Sequence, residues 1–289
     1  MRVAILGTGR MGFPLATRLV RAGHVVRAWD AYDRAEPLAR RGITVMPTAA
    51  EAVADVDAVV TVMGPKLVRE VLVAVADSPN LPTGCLVLDC STVGVELAVE
   101  LDALLRDRGV RYMEAPLVGR PQEARKGRIG VFLGGAPEDA EEASQLALAF
   151  TAPLTTWYVG PIGRGNALKA VFNASVALTA AALGETMRLA QETGLDRTMV
   201  LDSLALGPFA WAISRRRTQF ETMDFSEVEN SLDRVVRELA LATQSARREL
   251  PLLRETQRVA TEAVAAGHGR EDVASLVAYI EQEGRPNSY

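Results

Sequence analysis

Lys169 and Asn173 stand four residues apart in the run Gly163-Arg-Gly-Asn-Ala-Leu-Lys-Ala-Val-Phe-Asn173. On a helix that spacing puts an ammonium and an amide on one face, within reach of a single small polar molecule. Gly163 and Gly165 just before them would let a ligand or another backbone approach closely, and the first helical N–H groups are free to bind. The same spacing also serves an ordinary solvated helix face, so the pair is a candidate site with two readings.

A second candidate lies at the start of the chain. A short apolar run, residues 2–6, leads into Gly7-Thr8-Gly9-Arg10-Met11-Gly12 and then into a helix-patterned stretch from Phe13 to Arg21. In a strand, glycine loop and helix of this kind the first glycine permits the tight bend. The second lets a pyrophosphate approach the backbone, and the third lets helix and strand pack closely. The helix N-terminus favours the anion. Gly7, Gly9, Arg10, Met11 and Gly12 are therefore candidate cofactor contacts. A further strand, residues 25–29, ends in Asp30, which could accept hydrogen bonds from ribose hydroxyls and would repel a 2′-phosphate. That favours NAD over NADP, although Arg34 nearby could turn toward a phosphate and Asp30 could be a simple strand-end turn residue.

The elements that must position these groups follow an alternating pattern. Strand-like runs occur at residues 43–46, 58–63 and 86–90, separated by a helix opened by the capping box Thr48-x-x-Glu51 and another from Lys66. Alternation of this kind predicts a parallel, doubly wound α/β sheet with ligands at the carboxyl ends of its strands. Those ends are the glycine loop, Met63-Gly64-Pro65 and Ser91-Thr92. Met63 and Gly64 become cofactor candidates, and Ser91 and Thr92 either ligand contacts or helix caps. Further strand-like runs at 112–117, 129–133 and 155–159 would extend the sheet, and between the first two lies Pro116-Leu-Val-Gly-Arg-Pro121. Backbone N–H groups at Val118 and Gly119 could face the cleft. Arg120 offers a planar fork suited to a carboxylate, sulfonate or phosphate, or is a plain surface arginine.

From Gly165 to Gly194 there is no proline and the run is rich in Ala, Leu and Val, which predicts one long helix ended by Gly194. Helix-patterned stretches follow at 197–206, 209–221, 228–246, after Pro251 and at 270–283, with a disordered tail expected at 284–289. The cluster Arg215-Arg216-Arg217 could pair with acidic residues of a second subunit, but a solvated face is the favoured expectation.

Composition narrows the function classes. The chain has 289 residues, 48% hydrophobic and 24% charged, with a net charge of -4, so no overall attraction to nucleic acid or acidic membranes is expected. The most apolar run, residues 170–184, is short for a bilayer and reads as a buried helix. Cys85 and Cys90 with His24 and His268 supply neither a metal-ligand cluster nor a disulfide framework, so packed thiols in a reducing compartment and no metal are expected. No leader is visible, which points to the cytoplasm.

Several separated stretches carry a resemblance. They are the opening G-x-G-x-M-G, Asp89-x-Ser91-Thr92, Glu114-Ala-Pro-Leu-x-Gly119, Gly163-x-Gly165-x-x-x-Lys169-x-x-x-Asn173, and Arg237-Glu-Leu-Ala-Leu-Ala242. In order and spacing the sequence resembles the β-hydroxyacid dehydrogenases, the 3-hydroxyisobutyrate and tartronate semialdehyde reductases of the 6-phosphogluconate dehydrogenase superfamily. The resemblance implies a Rossmann-type domain at 1–162, an interdomain helix at 163–194, and an all-helical domain at 195–289 that takes part in substrate binding and oligomerisation as a homodimer or homotetramer. It implies hydride transfer between nicotinamide and a small anionic 3-hydroxy acid or its semialdehyde. Lys169 would be the general acid/base, Asn173 its orienting partner, the Val118–Gly119 backbone part of the anion site, and Arg237 would stand where the family's lysine reaches toward the cofactor.

The sequence departs from the family in Val118 for a serine, Arg120 for a glycine, Phe172 for an amide and Arg237 for a lysine. Arg120 suggests a substrate with an additional or different anionic group. Two other readings remain: an imine reductase, though that group usually replaces the lysine, and a non-catalytic NAD-responsive binding protein, since the fold alone does not fix function.

Overall fold

A computed structural model describes residues 1–32, 34–244 and 246–283; the tail expected at 284–289 lies outside them. Backbone contacts divide the chain into two compact units, Met1–Lys169 and Ala170–Tyr289.

The first unit opens with β1 (Arg2–Leu6), α1 (Gly12–Arg21) and β2 (Val25–Trp29). It continues with β3 (Thr44–Val45), α2 (Ala49–Ala52), β4 (Ala58–Thr61), α3 (Pro65–Ala76), β5 (Leu86–Asp89) and α4 (Val95–Arg106). Next come β6 (Arg111–Glu114), β7 (Leu117–Val118), α5 (Pro121–Lys126), β8 (Ile129–Gly135), α6 (Ala140–Ala147) and β9 (Thr151–Tyr158). The strand order is β3-β2-β1-β4-β5-β6-β8-β7, with β9 beside β8. Neighbours from β3 to β6 pair in parallel. The order reverses at β1, so the crevice for a ligand opens beyond the carboxyl ends of β1 and β4. Strands β4 and β5 are buried along their whole length, as expected where helices cover both faces. One layer of core holds Val3, Ile5, Leu15 and Leu19; the other holds Ala4, Leu6, Leu72 and Leu101.

The far side of the sheet departs from the parallel expectation. The strand expected at 112–117 breaks after Glu114, because Pro116 has no N–H to donate to a ladder. The link to β8 is taken up by β7 and the short α5, which do not carry the chain back to the starting edge. β8 therefore runs antiparallel to β6 and β7. Both cysteines are buried and free, and burial pushes the Cys85 thiol up to about 12.

Helix α7 (Arg164–Glu192) is continuous across the position where the first unit ends. Gly194, at φ +73°, follows it, and Leu195 N–H donates back to the Ala190 carbonyl, the left-handed ending that glycine permits. Among the described residues α7 alone is long and apolar enough to cross a membrane. Its Ala174, Ala177, Ala180, Leu183 and Met187 belong to the core of the second unit, and a Cβ on Gly184 would stand 2.9 Å from Ile280 Cβ. The helix thus packs closely against protein along one face.

The second unit is helical, with α8 (Arg197–Leu204), α9 (Ala210–Thr222), α10 (Leu232–Gln244), α11 (Pro251–Ala265) and α12 (Ser275–Glu283). The helices expected from residues 228 and 270 start later, because both preceding segments are spent on Asp272. That carboxylate accepts N–H bonds from Glu229 at 2.8 Å, Asn230 at 3.0 Å and Ala274 at 3.0 Å. The arginine cluster also corrects its expectation. Arg216 is buried, with its Nε 2.7 Å from Asp272 Oδ1 and its Nη2 3.6 Å from Glu229, and α9 is kinked at Arg216. Arg217 pairs with Asp202 and Glu221, and Arg215 lies over the Trp211 ring.

Candidate cofactor and catalytic site

The glycine loop has the shape its sequence demands. Gly7 sits at φ +91°, and a Cβ there would come within 2.4 Å of the Val62 carbonyl. A Cβ on Gly12 would meet the Gly7 carbonyl at 1.9 Å, so helix and loop are in backbone contact. Gly9 is different: among the described residues a Cβ there would meet only the Arg34 guanidinium, at 3.5 Å, which leaves the loop open to a ligand. α1 starts from Met11 with no side-chain cap and no acidic residue in its first turn. Open space at Gly9 and uncapped N–H groups together fit a dinucleotide pyrophosphate.

Asp30 closes this loop from the end of β2. Its Oδ2 accepts from Thr8 N at 2.6 Å and Thr8 Oγ1 at 3.2 Å, and its Oδ1 from Tyr32 N at 2.9 Å. Turn-maker and ribose acceptor are thus compatible at one carboxylate. Arg34 stacks on the Tyr32 ring at 4.8 Å. Exposed Arg10 and partly exposed Met11 form the outer lip of the loop.

The next two strand ends are joined by a buried carboxylate, Asp89, whose role the sequence alone does not reveal. Asp89 is fully buried and accepts from Thr61 Oγ1 at 2.6 Å, Tyr112 OH at 2.8 Å and Ser91 N at 3.0 Å. Burial pushes its pKa up, and these hydrogen bonds pull it back. Ser91 Oγ accepts from Met63 N at 3.0 Å. Its hydroxyl therefore ties the β4 and β5 loops together. Thr92 beside it is partly exposed, and its hydroxyl is uncommitted among the described residues. Gly64 precedes α3 with open space where a Cβ would stand.

The loop after β7 is shaped by Gly119 at φ +140°, where a Cβ would stand 2.7 Å from Ile129 Cγ2. Val118 pairs with Gly130 of β8. Arg120 occupies the position before α5, where its N–H donates to Glu123 Oε2 at 2.8 Å and its Nε lies 3.5 Å from Glu123 Oε1. A carboxylate neighbour for Arg120 was not weighed in the sequence, and it reduces the net positive charge at this loop.

Lys169, 8% exposed, lies one turn into α7. Beneath that first turn sits Glu114, at the end of β6 and fully buried. Its Oε1 accepts from Gly165 N at 2.8 Å; its Oε2 accepts from Asn166 N at 3.0 Å and from the Asn166 side-chain amide. The Asn166 Oδ1 in turn accepts from Val93 N at 2.9 Å and Gly94 N at 3.1 Å. Burial pushes the Glu114 carboxyl upward, and the donors from Asn166, Gly165 and Gly163 oppose it.

Within the second unit Asn173 is buried, and its Nδ2 donates to Glu238 Oε2 at 2.6 Å. Glu238 Oε1 accepts from Arg234 Nε at 2.8 Å. Glu238 was legible only as part of a quoted segment. Phe172 packs edge to face on Trp211, with centroids 6.4 Å apart. Arg237 is 67% exposed and pairs with Asp233 at 2.9 Å. Phe225 belongs to the core.

Known proteins match both halves. Residues 2–160 match the NAD binding domain of 6-phosphogluconate dehydrogenase, and residues 163–280 match the NAD-binding family of NADP-dependent 3-hydroxyisobutyrate dehydrogenase. A probable 3-hydroxyisobutyrate dehydrogenase of Mycobacterium tuberculosis is 32% identical, over 69% of this chain and 67% of its own length. An NAD-dependent L-serine dehydrogenase of Pseudomonas aeruginosa is 29% identical, over 70% and 68%. The structure of Mycobacterium tuberculosis 3-hydroxyisobutyrate dehydrogenase with L-serine superposes with a TM-score of 0.86 at 25% identity, covering 97% of this chain and 99% of that one.

Proposed function

The chain belongs to the β-hydroxyacid dehydrogenase family of NAD(P)-dependent oxidoreductases, and we propose that it interconverts a small 3-hydroxy acid and its semialdehyde, with Lys169 as general acid/base. The observation that carries this reading is Lys169, buried on a helix whose next turn presents Asn173. In oxidation the lysine takes the proton of the substrate hydroxyl, and in reduction it returns a proton to the carbonyl oxygen. The proton-accepting form is the neutral amine. Asn173, held through Nδ2 by Glu238, keeps its amide oxygen and second N–H for orienting the lysine and substrate.

Gly7, Gly9, Arg10, Met11 and Gly12 with the start of α1 would hold the pyrophosphate, Asp30 the adenosine ribose, and Met63, Gly64 and Thr92 the remaining length of the cofactor. The bound nicotinamide supplies the hydride acceptor or donor. Asp30 favours NAD over NADP, since a 2′-phosphate would meet its carboxylate. Arg237, which stands where the family's lysine reaches toward the cofactor, is proposed as a further cofactor contact, and Ser91 keeps the substrate-facing loop in place. The functional division proposed is 1–162, 163–194 and 195–289, working in the cytoplasm as a homodimer or homotetramer.

The backbone of Val118 and Gly119 and the guanidinium of Arg120 are proposed to receive the substrate anion. Arg120→Ala is expected to raise KM for charged substrates about tenfold while leaving that for neutral aldehydes unchanged. Equal rises for both would remove Arg120 from anion reading. The function itself is tested by initial rates with NAD and NADP across 3-hydroxy acids, semialdehydes, sulfonates and cyclic imines. Turnover confined to imines would make the chain a reductase of C=N bonds. Tight cofactor binding with no turnover would favour the binding-protein alternative.

A further inference from the structure

We propose that Glu114 is a positioning residue for Lys169: its buried carboxylate fixes the first turn of α7 and so sets where the lysine amine stands. The inference rests on the acid/base reading of Lys169.

A helix is ordinarily capped by a small polar side chain just before its first turn, at little cost. Here the cap comes from a strand 51 residues earlier. A carboxylate placed entirely out of water is expensive unless its oxygens are satisfied. The fold makes room for this one at several points. A Cβ on Gly134 would stand 2.1 Å from Glu114 Oε1, and a Cβ on Gly165 would stand 3.1 Å from its Cδ and 2.6 Å from the Phe132 carbonyl. The carboxylate also meets the positive end of a long helix, which favours its charge.

The arrangement joins three pieces of the site. Glu114 ends β6; Gly165 and Asn166 open α7; and Asn166 Oδ1, through Val93 N and Gly94 N, holds the chain that follows Ser91 and Thr92. Lys169 is four residues beyond Gly165, hence on the same strip of the helix. Helical side chains lean toward the N-terminus, which directs a side chain at position 169 toward Gly165, where no side chain obstructs it. The backbone N–H of that glycine is the one held by Glu114 Oε1. A small movement of this turn is carried directly to the amine, and misplacement of a reacting group by about 1 Å can cost on the order of a hundredfold in rate.

Glu114→Gln keeps the volume and one acceptor but sets an amide NH2 against donors, so at least one of these bonds is lost. In the full-length chain kcat is expected to fall about tenfold or more, with KM for the cofactor within about twofold, because the glycine loop is untouched. The primary deuterium isotope effect on kcat should rise as the chemical step becomes slower. A cap with no bearing on Lys169 would leave that isotope effect alone. Asn166→Ser retains the carboxylate and its two backbone donors while cutting the tie to Val93 and Gly94. It is expected to move kcat and the isotope effect in the same sense by a smaller factor, and it decides the matter if Glu114→Gln does not fold. Unchanged kcat and isotope effect in the folded Glu114→Gln protein overturn the inference, as does lost activity that only tracks lost folded protein. If Lys169→Arg turns over normally, the acid/base reading fails on its own. If Lys169→Arg is inactive while Glu114→Gln is normal, only the positioning role fails.

Discussion

Lys169→Arg is expected to turn over substrate about a hundredfold or more slowly than the parent chain, with cofactor affinity unchanged. Arginine keeps the positive charge and a long apolar stem, so it can still attract an anion and fill most of the same space. It cannot release its proton in any accessible pH range, and that is the property the proposed role requires. The position is 8% exposed, so bulk water has little access to substitute for the missing base. The substitution separates proton exchange from charge, which removal of the whole side chain would not do. Steady-state kcat in both directions, with cofactor affinity from fluorescence titration, is the check. Turnover near the parental level would take Lys169 out of the mechanism.

The second large effect concerns stability. Asp272→Ala is expected to lower the unfolding free energy of the helical unit by about 3–5 kcal/mol. Asp272 is fully buried, ion-paired with Arg216, and the acceptor for the N–H groups of Glu229, Asn230 and Ala274. Its loss leaves a buried guanidinium with, among the described residues, only the more distant Glu229 and strips acceptors from three backbone donors at once. Arg216→Met is expected to cost clearly less, because those three donors still satisfy the carboxylate and the methionine fills part of the space. Urea unfolding followed by the fluorescence of Trp211, which lies in this unit, measures both. Similar costs for the two substitutions would mean that the ion pair, and not the backbone bonds, is what Asp272 provides.

The sequence was most informative where one residue type is dictated by local geometry. The glycine loop, the end of α7 at Gly194 and the buried strands β1, β4 and β5 all follow from backbone strain or continuous apolar runs, and they appear where expected. It was least informative where a side chain's partner is distant in the chain. Ser91 and Thr92 are adjacent and chemically alike, yet Ser91 is committed to Asp89 and the Met63 backbone while Thr92 is not. Arg216 looked like its neighbours in a basic cluster and is instead paired with a residue 56 positions away. Glu114 was visible as a letter in a motif, but its link to Gly165 spans 51 residues of chain. The β6–β7 break was missed although Pro116 signals it; the reversal of β8 carries no local signal, because strand direction depends on where the chain is carried between strands.

The different fates of those two neighbouring hydroxyls bear on how the enzyme could be retuned. A mutant library aimed at new substrates would waste its members at Ser91, since most replacements there detach one loop from another and lower the yield of soluble protein before specificity is ever sampled. Randomising Thr92 together with Val118 and Arg120 leaves the Asp89 strut intact, and a selection confined to those three codons varies the residues proposed to meet cofactor and substrate while the scaffold beneath them stays unchanged.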